Sequence, residues 1–438
     1  MIADQIVVIG GGSAALCAAI AARRAGARVT LIERAPQTLR GGNTRHARNF
    51  RLQHPPNCDF SDGDYSAQEF ADDLSRATQG SGNPELTARL ITESAQLPAW
   101  LHSVGVRLQT RRQGRLPVSR KTAFLLGGGK ALINALYGYA AGIGVNIEYD
   151  CTAAQLHLHK NRVTAITLNQ HHRQRIVQPQ ALILASGGAQ ANRSWLAQHW
   201  GERADGLINR GTPYAQGELL LALLAAGAQA VGDPQRAYLV AVDARSPPDD
   251  GGIITRIRAM PEGIVVNRDG ERFHDESADS GSTRYALWGR LVADCPGQIA
   301  YLLLDSRGIC LAPPTLYPPL TAPTMSDLAA QLALPVAAVE RSLMTDHAAA
   351  HHPLPLSTPP FAAYPIRPGI TFTYHGLAVD TDTRVRLTSG QVIDNLFAAG
   401  TIMAPNLCPQ GYLSGLMLSI SLVFGRLAGE AAAGYVNT

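Results

Sequence analysis

The sequence predicts an α/β fold of at least two domains, built on a βαβ unit at the start of the chain. Ile6-Val7-Val8-Ile9 is a β-favouring apolar run, and a glycine turn and an alanine-rich helical segment follow it. Val29-Thr30-Leu31-Ile32 resumes the strand pattern and ends at Glu33. Strand, glycine turn, helix, strand and acid in this order are typical of a dinucleotide-binding unit. The 438 residues, 46% of them hydrophobic, suffice for a large core and more than one domain.

Each small residue of the glycine turn has a separate task in such a unit. Gly10 permits the tight turn, Gly12 lets the backbone approach a pyrophosphate, and Ala15 lets helix and strand pack closely. The pyrophosphate would lie on the helix N-terminus, and the Glu33 carboxylate would accept hydrogen bonds from ribose hydroxyls. If the glycines are considered alone, the alternative is a tight strand-to-helix turn that binds no ligand. The candidate cofactor-binding residues here are Gly10, Gly12, Ser13, Ala14, Ala15, Glu33 and Arg34.

Several later segments resemble flavoproteins of the fumarate reductase and succinate dehydrogenase family. Gly41-Gly42-Asn43-Thr44 matches the loop that runs along the flavin, and Ser186-Gly187-Gly188 matches the turn where the chain returns to it. Three C-terminal segments follow the closing pattern of the family: Gly376 to Asp380, Asn395 to Gly400 and Phe424 to Gly429. The resemblance implies FAD as cofactor and adds these candidate ligands: Gly41, Gly42, Asn43, Thr44, Ser186, Gly187, Gly188, Gly400, Thr401, Gly415 and Leu416.

The resemblance also implies a domain organisation. Residues 1–236 and 357–438 would form a discontinuous, Rossmann-like FAD-binding domain of the two-dinucleotide-binding-fold type. Residues 237–356 would form an inserted α+β capping domain that binds substrate. In this domain the strand–turn–strand pattern from Val265 to Phe273 matches the capping-domain hairpin of the family.

The chain departs from fumarate reductases at positions that matter. Thr401 stands where the family has a glutamate that holds FAD ribose, and Tyr412 stands where it has a carboxylate-clamping arginine. Thr371 or Phe372 replaces a histidine, and Arg256, after Thr255, replaces a proton-relay glutamate. Asn43 lies near the position of the flavin-linking histidine, so we expect FAD to be bound noncovalently.

A narrower resemblance accommodates several of these departures. The segments 42–50, 126–132, 284–292 and 367–374 are similar to FAD-dependent tricarballylate dehydrogenases, which oxidise tricarballylate to cis-aconitate. The resemblance implies desaturation of a CH–CH bond, with proton removal and hydride transfer to flavin N5.

The chemistry needs an acid/base residue and cationic anchors for carboxylates. Arg284 is the acid/base residue that the resemblance implies, although arginine is ordinarily protonated and would need a coupled acceptor. The planar guanidinium suits a carboxylate, and tyrosine hydroxyls suit a developing enolate. The catalytic candidates are Arg284, Arg256, His46 and Tyr412. The substrate-binding candidates are Arg48, Thr255, Arg258 and Tyr374. His46 and Arg48 equally fit a solvated loop or a loop that tunes the flavin.

Three other functions stay open. The chain resembles enzymes that run the reverse reaction, flavin-dependent reduction of an activated C=C bond. Flavoproteins that oxidise larger ring substrates share the same pattern. The absence of the family's carboxylate-clamping residues is also compatible with an electron-transfer flavoprotein subunit.

Bulk properties limit the partners. A net charge of +4 is compatible with anionic substrates and too small to indicate nucleic-acid binding. The six scattered cysteines lack a Cys-x-x-Cys pair, which argues against a disulfide framework or an iron–sulfur site within this chain, and we expect no metal site. The start lies almost on the first strand and no apolar run reaches transmembrane length, so we expect a cytoplasmic protein. The resemblance implies a separate electron acceptor, an iron–sulfur protein or a quinone at the membrane.

The remaining pattern predicts local structure. Apolar spacing predicts helices between 66 and 104, with an interruption near 80–84. Segments 145–149, 153–159, 162–169 and 175–177 predict an antiparallel β-meander. The glycine run before Lys130 predicts an approach to a phosphate or flavin.

Overall fold

A computed structural model describes residues 5–61, 63–110, 120–276, 284–344 and 356–437. The chain divides into two compact units. Unit 1 consists of Met1–Asn192, Tyr214–Ala237 and Phe372–Thr438, and unit 2 of Arg193–Pro213 and Tyr238–Thr371. The predicted insertion, 237–356, thus lies almost entirely in unit 2, which also takes in 193–213 and the residues up to Thr371.

The strands, in chain order, are β1 (Ile6–Ile9), β2 (Val29–Ile32), β3 (Asn49–Arg51), β4 (Thr122–Phe124), β5 (Asn146–Glu148), β6 (Cys151–His159), β7 (Arg162–Gln170), β8 (Arg173–Val177), β9 (Ala181–Leu184), β10 (Ile208–Asn209), β11 (Ala230–Asp243), β12 (Ile264–Asn267), β13 (Ala300–Leu304), β14 (Leu320–Ala322), β15 (Phe361–Leu377), β16 (Arg384–Arg386) and β17 (Val392–Ala398).

The α-helices are α1 (Ser13–Arg24), α2 (Ala67–Thr78), α3 (Pro84–Ser94), α4 (Leu97–Ser103), α5 (Gly128–Gly142), α6 (Arg193–Trp200), α7 (Glu218–Ala225), α8 (Arg284–Ala293), α9 (Ser306–Leu311), α10 (Met325–Gln331), α11 (Val336–Met344) and α12 (Leu416–Asn437).

A mostly parallel sheet of order β16-β17-β9-β1-β2-β5 forms the centre of unit 1. The predicted strand–helix–strand unit is present, with Ile6 paired to Val29 in parallel register. All four residues of β1, β2 and β9 are buried, as expected for strands that are covered on both faces. The carboxyl ends of β2, β1, β9 and β17 therefore meet at one edge of the sheet.

The predicted β-meander is wrong in its first strand. β5 pairs with β2 in parallel and belongs to the central sheet, whereas β6, β7 and β8 form a separate antiparallel sheet. The cause is the turn at Asp150, which has a φ of +52° and separates two strands that the sequence places almost end to end.

The predicted helical region between 66 and 104 is α2, α3 and α4. Ser66 caps α2 by accepting a hydrogen bond from the Glu69 N–H, and Asn83 caps α3 by accepting one from the Leu86 N–H. Pro84 occupies the first turn of α3, where its missing N–H costs nothing. The predicted interruption therefore coincides with a helix end and a new cap.

The last helix, α12, packs against α1 through small residues. A Cβ on Gly425 would lie 2.5 Å from the Ala14 carbonyl oxygen, and one on Gly429 would lie 2.2 Å from that of Ala18. By length and composition alone, α12 could cross a membrane, contrary to the prediction that no apolar run is long enough. Most of it is buried inside the protein, as in a core helix.

In unit 2, β12 and β13 pair antiparallel and β13 pairs antiparallel with the first part of β15. Helices α10 and α11 cover this sheet through an apolar core that includes Leu303, Leu328 and Val339. The Asp305 side chain caps α9 by accepting hydrogen bonds from the Arg307 and Gly308 N–H groups.

A buried charge network connects β3 to α2 and to the residue before β4. Arg51 donates to the Asp73 carboxylate at 3.1 Å and to the Tyr65 hydroxyl at 2.6 Å. Tyr65 and Lys121 also donate to Asp73, at 2.8 and 2.7 Å. Burial opposes ionisation of Asp73, but the hydrogen bonds from Lys121 and Tyr65 prevail and hold its pKa below the ordinary value.

We expect Asp73→Asn to lower the free energy of unfolding by about 3 kcal/mol at neutral pH, because Arg51 loses its counter-charge in a buried place. Because the folded pKa of Asp73 is depressed, this contribution is present above about pH 4 and is lost as the pH falls through the folded value. Urea unfolding at several pH values measures it. Asp72→Asn, on the exposed face of the same helix, should change stability by less than about 0.5 kcal/mol. An equal loss for both variants would contradict the network's role.

Candidate functional site

The turn between β1 and α1 has the geometry that a bound pyrophosphate requires. Gly10 has a φ of +114°, and a Cβ on it would lie 2.4 Å from the Ala185 carbonyl oxygen, so only glycine fits. A Cβ on Gly12 would make only an ordinary 3.5 Å contact with Thr44 Oγ1. The protein's own packing would therefore tolerate a side chain at position 12. Glycine at this position is consistent with space for a ligand beside the turn. The Ser13 N–H at the start of α1 donates to Thr44 Oγ1 at 3.1 Å.

The predicted ribose ligand, Glu33, is a buried carboxylate beside this turn. Its carboxylate accepts hydrogen bonds from the Ala35 N–H at 2.9 Å and the Gly41 N–H at 3.4 Å. Burial raises the pKa of Glu33, because desolvation outweighs these hydrogen bonds. A Cβ on Gly11 would lie 2.1 Å from Glu33 Oε2, so the carboxylate reaches the glycine turn itself. Arg34, in contrast, pairs with Glu218 at 2.6 Å at the surface.

Sequence reasoning missed two residues next to Glu33. The Tyr137 hydroxyl donates to the Gly11 carbonyl at 3.0 Å, and the Arg40 guanidinium lies 4.5 Å from the centre of the Tyr137 ring. Their sequence surroundings are those of ordinary helix and loop residues, because Gly11 is 126 residues from Tyr137 and Arg40 is far from Tyr137 in the chain. The Tyr137 hydroxyl adjoins Glu33 Oε2 over Gly11, and Arg40 covers the ring of Tyr137.

The loop after Gly41 is a 3₁₀ turn, Gly42–His46, entered through positive φ at Gly41 and Gly42. Asn43, Thr44, His46 and Arg48 are half-buried in it. The glycine run before Lys130 serves this loop, because a Cβ on Gly129 would lie 1.9 Å from the Thr44 carbonyl oxygen. The glycine run was predicted to approach a phosphate or flavin, and in this structure it approaches the backbone of the Gly42–His46 turn.

The ends of β9 and β17 bring together the other predicted cofactor residues. Ser186, Gly187 and Gly188 follow β9, and Gly400 and Thr401 follow β17, its parallel neighbour. A Cβ on Gly400 would lie 2.8 Å from the Ala14 Cβ, and one on Gly188 would lie 3.7 Å from Thr401 Cγ2. These residues therefore adjoin the start of α1.

The start of α12 is fixed by β3. Gly415 has a φ of +80°, and a Cβ on it would lie 2.8 Å from the backbone nitrogen of Arg51. Arg51 Nε donates to the Ser414 carbonyl at 3.1 Å, and Leu416 begins the helix as a buried residue. These contacts fix the N-terminus of α12 and with it the partial positive charge of the helix dipole. That charge would stabilise the negative charge of a reduced flavin ring.

The two tyrosines of this region differ in exposure. The Tyr374 hydroxyl is buried and donates to the Gly411 carbonyl, so its proton is used by the loop that precedes α12. Burial raises the pKa of Tyr374 well above its ordinary value. Tyr412 is half-buried on that loop.

The residues of unit 1 fit FAD. Sheet order places β2 on one side of β1 and β9 and β17 on the other. The parts of FAD would then bind along this edge in their covalent order. Glu33 would bind the ribose, the α1 N-terminus the pyrophosphate, and the ends of β9 and β17 the flavin half. Each predicted FAD ligand except Arg34 lies along this edge or in the loops beside it; their contacts with the cofactor stay predictions.

In unit 2, three of the other predicted residues, Thr255, Arg256 and Arg258, belong to one short segment. Thr255 is buried and donates to the Gly252 carbonyl at 3.1 Å, Arg256 is half-buried, and Arg258 is exposed. Sequence reasoning missed Arg210, which is 6% exposed and donates from Nε to the Gly252 carbonyl at 3.3 Å and from Nη1 to Thr371 Oγ1 at 2.7 Å. Arg284 begins α8, and its side chain lies outside the described part of the structure.

The position of Arg210 is set by backbone pairing. Its N–H donates to the Ile370 carbonyl, and its carbonyl accepts from the Gly252 N–H at 2.8 Å. Two acids lie beside this segment: Asp249 accepts from the Asn209 amide at 2.8 Å, and the Asp250 N–H donates to the Gly211 carbonyl at 2.9 Å. Three arginines, at 210, 256 and 258, therefore belong to one continuous part of unit 2.

Comparison with known proteins agrees with this arrangement. The chain is 27% identical to a fumarate reductase (cytochrome) of Shewanella frigidimarina over 98% of its own length and 77% of the relative's. It is 23% identical to a 4-oxocyclohexanecarboxylate 2-dehydrogenase of Sinomonas cyclohexanicum, over 98% of this chain and 94% of the relative. Among solved structures, the open conformation of a flavocytochrome c3 fumarate reductase superposes with a TM-score of 0.80 at 22% identity, over 100% of this chain and 79% of that chain.

The FAD binding domain family matches residues 5–408, which include the glycine turn, Glu33, the capping segment and the β17 end. The match covers both described units and most of the chain. The protein therefore belongs to the FAD binding domain family and is an FAD-dependent oxidoreductase.

Proposed function

We propose that this protein desaturates a CH–CH bond of a small polycarboxylate, in the manner of tricarballylate oxidation to cis-aconitate. The observation that carries this proposal is the arginine-rich turn of unit 2, where Arg210, Arg256 and Thr255 are tied to the same stretch of backbone at residues 252–256. A substrate with several carboxylates needs several cationic forks, whereas an apolar ring needs none.

The tasks of the protein follow from this chemistry. Bound FAD supplies the hydride acceptor. The guanidinium groups of Arg210 and Arg256 bind and orient the carboxylates, and the Thr255 hydroxyl, fixed on the Gly252 carbonyl, adds a polar contact. Fixing the carboxylates holds the reacting carbon pair in one orientation, which lowers the entropic part of the barrier.

Proton removal is assigned to Arg284, and Arg258 is a further proposed substrate contact in unit 2. The candidates in unit 1, Arg48, His46, Tyr374 and Tyr412, stay predictions. Because arginine is ordinarily protonated, Arg284 acts only with a coupled acceptor that takes the proton onward. Tyr374 is poorly suited to donate to substrate, because it is buried and its hydroxyl proton is engaged by the Gly411 carbonyl.

The second candidate is the reverse reaction, reduction of an activated C=C bond. The similarity to a fumarate reductase favours it, whereas the similarity to a 4-oxocyclohexanecarboxylate dehydrogenase supports oxidation and a ring substrate. In either direction we propose a separate electron carrier, an iron–sulfur protein or a quinone, and a cytoplasmic protein that meets this carrier at the membrane.

We expect tricarballylate, added anaerobically to the purified protein, to bleach the oxidised-flavin absorption band, because the substrate passes a hydride to the cofactor. Succinate, citrate and 4-oxocyclohexanecarboxylate are the comparison compounds. Bleaching by the ring compound alone would overturn the polycarboxylate assignment. Flavin that none of them reduces, but that fumarate or cis-aconitate re-oxidises after chemical reduction, would establish the reductase.

We expect Arg256→Gln to raise KM for the polycarboxylate about 10- to 100-fold, since a charge-assisted hydrogen bond contributes about 1.5–3 kcal/mol. Steady-state kinetics with an artificial electron acceptor measure it. Arg203→Gln is the matched control, because Arg203 is an exposed arginine of unit 2 that pairs with Asp294 at the surface. An unchanged KM in Arg256→Gln, with flavin content intact, would remove Arg256 from the substrate site.

A further inference from the structure

Thr371, a half-buried residue of β15, contacts the guanidinium group of Arg210. Its Oγ1 accepts a hydrogen bond from Arg210 Nη1 at 2.7 Å, and Arg210 Nε donates to the Gly252 carbonyl at 3.3 Å. The two bonds start from different nitrogens of one planar group, so together they fix the direction of the side chain and the plane of the guanidinium. Thr371 therefore determines how one of the proposed carboxylate anchors is oriented.

The same strand makes room for the stem of Arg210. A Cβ on Gly369 would lie 2.7 Å from Arg210 Cδ, 2.9 Å from Arg210 Cγ and 2.6 Å from Val242 Cγ1. The stem therefore packs directly on the glycine backbone, beside Val242, where a larger residue would displace it. Because positions i and i+2 of a strand share a face, Gly369 and Thr371 contact the stem and the head of the same arginine.

Backbone pairing places Arg210 relative to the second proposed anchor, Arg256. The Arg210 N–H donates to the Ile370 carbonyl at 2.9 Å, and its carbonyl accepts from the Gly252 N–H at 2.8 Å. Arg256 lies on the turn that follows Gly252 and forms a β-bridge with Val242. The main chain thus sets the positions of both arginines, and the hydroxyl of Thr371 sets the orientation of the Arg210 head group.

Fixing an arginine before substrate arrives has a direct effect on affinity. An arginine side chain loses considerable rotamer entropy when it is held in one orientation. Where the protein has already ordered the guanidinium, the substrate does not bear that cost, and it binds more tightly. A hydroxyl suits this task better than a carboxylate, because it accepts a hydrogen bond without neutralising the charge that is offered to the substrate.

We propose that Thr371 is a positioning residue that orients Arg210 for a substrate carboxylate. It acts through the 2.7 Å hydrogen bond to Arg210 Nη1, with the stem of the arginine held on Gly369. This inference rests on the proposed function, since it takes Arg210 as a carboxylate anchor. It adds a residue whose effect on substrate affinity passes through Arg210.

The test measures binding of tricarballylate to the chemically reduced holoenzyme by anaerobic calorimetry, because a reduced flavin accepts no hydride and the Kd is then free of turnover. We expect Thr371→Val to raise this Kd about 3- to 10-fold, the effect of about one hydrogen bond. Thr371→Ser keeps the hydroxyl and should bind like the wild type. Thr321→Val is the matched control, because Thr321 is an exposed strand threonine of unit 2, and its Kd should not change.

A double-mutant cycle separates positioning from general damage to the fold. We expect Arg210→Gln to raise the Kd about 10- to 100-fold. Adding Thr371→Val to Arg210→Gln should then change the Kd by less than about 2-fold, because the residue through which Thr371 acts is already gone.

Two results would overturn this inference alone: a wild-type Kd in Thr371→Val, or a full further loss of affinity when Thr371→Val is added to Arg210→Gln. A wild-type protein that binds no polycarboxylate would overturn the proposed function and this inference with it.

Discussion

Close backbone approach at the β1–α1 turn is the constraint on which the rest of unit 1 depends. The strand that leads in, β1, is flanked by β2 and β9, and the helix that leads out packs against α12. Gly10 approaches the Ala185 carbonyl and Gly425 approaches the Ala14 carbonyl, each too closely for a Cβ. Small residues on both sides of the turn let the helix N-terminus, with its unpaired N–H groups, lie at the sheet edge where an anion is bound.

This constraint explains why the sequence predicted unit 1 well. Local pattern specifies β1, α1 and β2, because strand, glycine turn and helix are neighbours in the chain. The same pattern recurs at β9. Pattern does not specify which strands become neighbours, so β5 was assigned to a meander when its carbonyls and amides pair with β2 instead. One residue with positive φ, Asp150, separates the two possibilities, and its conformation has no strong sequence signal.

The candidate site was predictable to the extent that its residues carry motifs. Glycine turns, the Glu33 acid and the 41–44 loop carry them. Tyr137 and Arg210 do not, since each acts through partners that are distant in sequence. Arg210 shows this most clearly: its hydrogen-bond partners include Gly252 and Thr371, which the fold of unit 2 brings to it from 42 and 161 residues away.

The distribution of polar groups suggests how this chain tolerates its departures from related flavoproteins. A carboxylate at 401 would be a charged group beside the buried hydroxyl of Thr373, and burying a charge is costly unless hydrogen bonds compensate it. Threonine at 401 removes the charge and leaves only the neutral amide of Gln190 and the hydroxyl of Thr373 around Gly188. Unit 2 shows the opposite balance, because Arg210 and Arg256 place positive charge next to backbone carbonyls that stabilise it. Uncharged side chains therefore surround Gly188 at the end of β9, whereas guanidinium groups stand on the 252–256 turn of unit 2.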